Sequence, residues 1–365
     1  MKNALNFNIQ FSNLLNHSFP NCFAGVYVYL ENIFNELPKK CGEGETWCFG
    51  CACKAHPDPQ SVYLALFDTM CGRNSLYWRF DGVMTEIAEL IGDASGIGNW
   101  SGKCGTDYTI DFLFGFAGYE YRKINNAAMF KDEIAASIDS SKPVLAELAA
   151  DGSEFCVITG YDGDTLVSSY YVTDQDNNTQ EKCTITLSND EIKTIYIIGN
   201  KVTPRYTLKD GLGRIKLIIE SSFSEKTWDD GIDQINNILV HPTDDEFKET
   251  NADELAAFRN RFTETLTNQF NSHIYEMALC HLPKVYDEAQ HPALLDLWNE
   301  LSRCISRLNN YAFAAGNFNK VNISRIGLFR TGFGKMFMSA VEDIKNTHLE
   351  MLKIINQAID ILDKK

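Results

Sequence analysis

Cys22 lies in Phe19-Pro20-Asn21-Cys22-Phe23-Ala24-Gly25, a turn that reads as running straight into a helix. With Asn21 as N-cap, Cys22 falls in the first helical turn. Free backbone N–H groups and the positive end of the helix dipole there favour a thiolate and lower the thiol pKa. That is a setting for a nucleophile that takes up an acyl group, with the same N–H groups serving as an oxyanion hole. Ordinary buried cysteines occupy such places too, and position alone favours the plainer reading.

The elements that must position Cys22 can be read from periodicity. Phe23, Val26, Tyr27, Leu30, Phe34 and Leu37 recur at helical spacing, and Pro38 closes the run. Much later come Lys142-Pro143-Val144-Leu145-Ala146, then Glu154-Phe155-Cys156-Val157-Ile158-Thr159-Gly160-Tyr161-Asp162-Gly163-Asp164, then Thr165-Leu166-Val167-Ser168. These read as strand, turn, strand, Gly-Tyr-Asp turn, strand. Glu154 opens the second strand, and Cys156 shares its face by period-two alternation. Cys22, Glu154 and Cys156 are therefore expected along one wall. Glu154 has a second reading, as a solvent-facing residue after the Asp151-Gly152 turn, and Cys156 as a small core residue.

This order resembles that of papain-like cysteine enzymes, which take the thiol from a helix start and the histidine from a strand. The Val157-Ile158-Thr159-Gly160-Tyr161-Asp162 stretch is similar to the motif of the bacteriocin-leader-processing peptidases and of the butirosin-biosynthesis acyltransferase H family. The resemblance covers about the first two hundred residues. It implies a papain-like cysteine-peptidase fold and Cys22-dependent acyl transfer or amide or thioester hydrolysis. The donor would be a small-molecule or peptidic substrate, in the acyltransferase case an acyl-carrier thioester. Aligned on Gly160-Tyr161-Asp162, the family histidine falls on Glu154, and the family acid falls near Tyr170, with Asp174 and Asp176 just beyond. A carboxylate cannot simply replace that histidine. Its pKa lies about four pH units below that of a thiol, a mismatch of about 6 kcal/mol, and its charge opposes the thiolate. Burial beside Cys22 would raise the Glu154 pKa and suit it to an amine or cationic ligand.

Seven histidines offer replacement bases: His17, His56, His241, His273, His281, His291 and His348. His17, five residues before Cys22, is near enough in sequence for a turn to bring it to the thiol. His273 and His281 roughly share a helix face at a spacing of eight, which reads as packing, and Lys335, just after Gly332 and Gly334, is a weak anion contact. Cys48-Phe49-Gly50-Cys51-Ala52-Cys53, with Cys41 and His56 nearby, has a Cys-x-x-Cys spacing that zinc accepts. The absence of a second such pair favours a reduced structural loop over a metal or redox site. No cofactor is expected.

The chain has 365 residues, 44% of them hydrophobic and 22% charged, enough for two cores. A formal net charge of −16 with no basic stripe argues against nucleic acid. No apolar run reaches membrane-spanning length, and the N-terminus lacks the pattern of a signal peptide. A cytoplasmic location is expected, with the eleven cysteines reduced. Helices followed by clustered strands give an α+β layout over residues 1–204. Strands are expected at Tyr119–Ile124, Val144–Leu148, Phe155–Thr159, Thr165–Val172, Cys183–Leu187 and Ile195–Ile198. Residues 205–365 read as an all-α domain. Three functional readings follow: a Cys22-dependent acyltransferase or hydrolase, a non-catalytic papain-like protein that binds a small molecule or peptide in a Cys22/Glu154 cleft, and, well behind these, a structural or metal-holding protein organised around Cys48, Cys51 and Cys53.

Overall fold

The structure is a computed structural model that describes residues 2–7, 18–33, 59–71, 106–149, 155–163, 165–173, 180–224, 279–316 and 334–364. These form two compact units. One takes in the described residues of Met1–Cys71 and Thr106–Thr207, the other those from Leu208 onward. The first is mixed helix and antiparallel sheet, the second is helical, so the chain is α+β with a helical C-terminal region.

In the first unit the elements run β1 (Lys2–Ala4), α1 (Ser18–Leu30), α2 (Pro59–Cys71), α3 (Thr106–Ala117), β2 (Tyr119–Ile124), α4 (Ala127–Asp139), β3 (Val144–Leu148), β4 (Phe155–Asp162), β5 (Thr165–Thr173), β6 (Gln180–Leu187) and β7 (Ile192–Lys201). The strands form one antiparallel sheet in the order β2-β7-β3-β4-β5-β6, with β1 added on β4. Alternation sorts the strand residues onto two faces. Val144, Ala146, Cys156, Ile158 and Ile195 form one core with Phe130, Ile134 and Ile138 of α4. Those three α4 side chains, at a helical spacing of four, are at most 1% exposed. Burying each is worth about 1.5–3 kcal/mol.

The opposite face is aromatic. Phe155 of β4 meets Phe19 of α1 at 4.9 Å between ring centroids, and Tyr121 of β2 stacks on Phe114 of α3 at 4.4 Å. Phe23 of α1 stands edge-on to both Phe67 of α2 and Phe114, each at 5.0 Å.

The ends of α4 are closed by its own sequence. The Asn126 side chain caps the first turn by accepting the Ala128 N–H at 3.2 Å. At the other end Ser141 takes φ 61°, the left-handed region. Lys142 N–H then donates to Ser137 O at 3.0 Å and Ser141 N–H to Ile138 O at 2.9 Å, the Schellman pattern.

The first unit runs on past Pro204. Arg205 N–H bonds Gly115 O at 2.8 Å, its guanidinium pairs with Asp111 at 2.8 Å, and Tyr206 stacks on Phe112 at 4.6 Å.

The second unit holds α5 (Leu208–Ser224), a single helical turn at Leu282–Val285, α6 (Pro292–Gly316) and α7 (Gly334–Asp363). Leu212, Ile215, Leu301, Ile305, Met351 and Ile355 are all at most 1% exposed and form its interior. Exposed pairs brace the helices: Lys209 to Asp363, and Arg307 to Glu350 at 2.6 Å. Among the described residues no helix is long and apolar enough to cross a membrane.

Candidate functional site

The sequence places Cys22 in a first turn, but α1 begins four residues earlier, at Ser18. Pro20 does not interrupt it, because a proline in the first turn has no hydrogen bond to lose and its fixed φ suits the helix. Cys22 therefore lies one turn into the helix, just past the unsatisfied N–H groups of its start. Its thiol is 2% exposed and donates to the carbonyl oxygen of Phe155 at 3.4 Å. Burial, and after it the neighbouring Cys156, push the Cys22 thiol pKa well above its ordinary value. The helix start was expected to lower that pKa, but desolvation in this setting dominates.

Cys156 does not join Cys22 on an open wall. Alternation places it on the α4 face between Ala146 and Ile158, fully buried. Burial pushes its pKa up to about 12, partly offset by a hydrogen bond from Ser168. Both thiols are free. Glu154 lies outside the described residues, immediately before β4. So do His17, Asp174, Asp176, His273 and the segment carrying Cys41, Cys48, Cys51, Cys53 and His56. Among the described residues no group of three or more His, Cys, Asp or Glu is placed to hold a metal. His281 and His348 are buried in the second unit, with His348 Nδ1 2.9 Å from Ile344 O.

The Gly160-Tyr161-Asp162 stretch has a definite structural task. β1 runs antiparallel to it, with Ala4 opposite Gly160, Asn3 opposite Tyr161 and Lys2 opposite Asp162. Tyr161 donates its hydroxyl to Asp139 at 2.9 Å, and Asn3 donates to the same carboxylate oxygen at 2.7 Å. Sequence reading missed Asn3 and Asp139, since nothing in the chain links residues 136 apart.

A second polar cluster braces the far end of α1. Glu31 accepts from Tyr119 at 2.7 Å and from Lys201 at 2.6 Å. Burial raises the Tyr27 and Tyr119 hydroxyl pKa values, so both stay protonated. Chemically this is a brace of neutral phenols around one paired carboxylate. No family model matches the chain, and no curated protein is significantly similar to it.

Proposed function

We propose that the first unit is a papain-like scaffold whose cysteine is kept as a core thiol. On this reading the chain binds a small molecule or peptide and does not process it. The observation that carries the reading is the Cys22 thiol, 2% exposed and donating to the Phe155 carbonyl. Forming a thiolate there would break that bond and set the sulfur's charge against the carbonyl lone pairs, in a site that desolvates it. A carboxylate at Glu154, in the place of the family histidine, does not take up the thiol proton. It is suited to hold an amine or a cationic group of a ligand. In a cytoplasmic setting both core thiols stay reduced.

The test is the pH dependence of iodoacetamide alkylation at Cys22, read by peptide mass spectrometry against the other cysteines of the native chain. The expected result is slow reaction, with an apparent pKa above that of an ordinary thiol. Fast reaction with an apparent pKa well below about 8 would overturn the proposal and restore acyl transfer from a thioester. If alkylation is slow, a thermal-shift screen of amine-bearing small molecules and peptides follows, with Glu154→Gln expected to abolish any stabilisation found.

A further inference from the structure

Three strands bring Phe155, Glu147 and Thr194 into one row. Phe155 of β4 stands opposite Glu147 of β3, and Glu147 opposite Thr194 of β7. Paired residues share a sheet face. This is the face of Cys22, since the Phe155 ring meets Phe19 of α1 and the Phe155 carbonyl takes the Cys22 thiol. β7 carries a bulge at this point. Leu148 pairs with Ile192 and Glu147 with Thr194, which leaves Lys193 as the extra residue. The bulge brings the Lys193 ammonium to Glu147 Oε1 at 2.7 Å.

The row is balanced in charge but not in hydrogen bonds. The Glu147 side chain is 12% exposed and Thr194 3%. Lys193 takes one carboxylate oxygen. Among the described residues no donor reaches Glu147 Oε2, and the Thr194 hydroxyl has no hydrogen-bond partner. Neither atom is sealed from solvent. Two nearly buried polar groups with unused bonding capacity favour a ligand that supplies both partners. Oε2 only accepts, whereas the hydroxyl can donate. Side chains paired across strands stand about 4.5–5.5 Å apart at Cβ, so the ligand must present a donor and an acceptor side by side. A primary carboxamide does so, with N–H and C=O on one edge. An ammonium lacks the acceptor, and a carboxylate lacks the donor and opposes Glu147. Lys193 already balances the carboxylate, so a neutral group suits the electrostatics.

We propose that Glu147 and Thr194 form a carboxamide-binding site, with Glu147 accepting the amide N–H and Thr194 donating to the amide oxygen. Lys193 holds the carboxylate in place. The ligand class is a small primary amide, or a peptide bearing an Asn or Gln side chain. This inference rests on the reading of the first unit as a binding scaffold and names the group that the scaffold recognises.

The probe is benzamide, titrated onto the full-length chain and followed by saturation-transfer difference NMR. Saturable binding is expected, with benzoate at least about tenfold weaker. Thr194→Val keeps the shape of the side chain and should weaken benzamide about five- to tenfold, with Thr194→Ser restoring it. Lys193→Met leaves Glu147 uncompensated, so benzylamine should now displace benzamide, which it does not do in wild type. Lys193 is 61% exposed, so this variant reads the site even where Thr194→Val fails to fold.

Absence of saturable benzamide binding overturns the proposal, as does equal binding of benzoate. So does an unchanged affinity in folded Thr194→Val, or displacement by benzylamine that is the same with and without Lys193. A reactive Cys22 with the benzamide results intact would end the binding-only reading alone. An inert Cys22 with no benzamide binding would end this inference alone.

Discussion

Cys22 shows how one residue type admits two chemistries until its surroundings are known. The sequence marks a cysteine beside a helix start, but the side chain's burial and its bond to Phe155 O depend on where the helix begins. That start depends on Pro20 being taken into the first turn, which no spacing rule decides. Two further residues carry predictions. Ser141 adopts φ 61° as the left-handed residue closing α4, a conformation that costs a non-glycine residue about 1–2 kcal/mol. Ser141→Gly is therefore expected to stabilise the protein by about 1 kcal/mol in urea unfolding. The Asp139 carboxyl is held below its ordinary pKa by the bonds from Asn3 and then Tyr161. A depressed folded pKa adds stability above the unfolded value of about 4, and that stability is lost as pH falls through the native value. Tyr161→Phe removes one donor, so its stability should fall less steeply with acid below about pH 4 than that of wild type. Unfolding midpoints across that range check this.

Among the elements, the strand ladder was the most legible. Tyr119–Ile124 and Val144–Leu148 stand at their expected bounds, and the other expected strands are each extended by one to three residues at one or both ends. Apolar alternation bounded by Gly and Asp turns defines such strands locally. α4 carries a local signal of its own in Phe130, Ile134 and Ile138 at a spacing of four, and the structure adds Asn126 as its cap. Asn126→Ala should cost about 1 kcal/mol by chemical denaturation, all of it through loss of the cap. The misses share one cause. β1 is Lys-Asn-Ala, without periodicity, and exists as a strand because β4 receives it. α2 spans Pro59–Cys71, where proline and the preceding cysteine-rich run hid its apolar stripe of Val62, Leu66 and Met70. Both depend on partners distant in sequence.

At the scale of the whole molecule, each unit has its own interior, so core truncations should act separately. Ile134→Ala in the first unit and Leu301→Ala in the second should each cost about 2–5 kcal/mol, since both side chains are fully buried. In the double variant the losses should add to within about 0.5 kcal/mol, and a larger coupling in denaturant titrations would mean that the two cores share partners. The helical character of the C-terminal region was legible from its apolar repeats, whereas the chemistry of the first unit was not, because its key contacts join residues more than a hundred apart. The outermost strand has a further consequence for behaviour at high concentration. Among the described strands β2 stands at one end of the sheet and carries exposed Glu120, Arg122 and Lys123, with Arg122 clasped by Glu133. Any strand from another molecule approaching that border would have to strip water from this row of charges before its first hydrogen bond formed. The border is thereby guarded against amyloid-like growth, and Arg122→Val with Lys123→Thr should convert it into a nucleus for fibrils, visible as thioflavin fluorescence in concentrated samples.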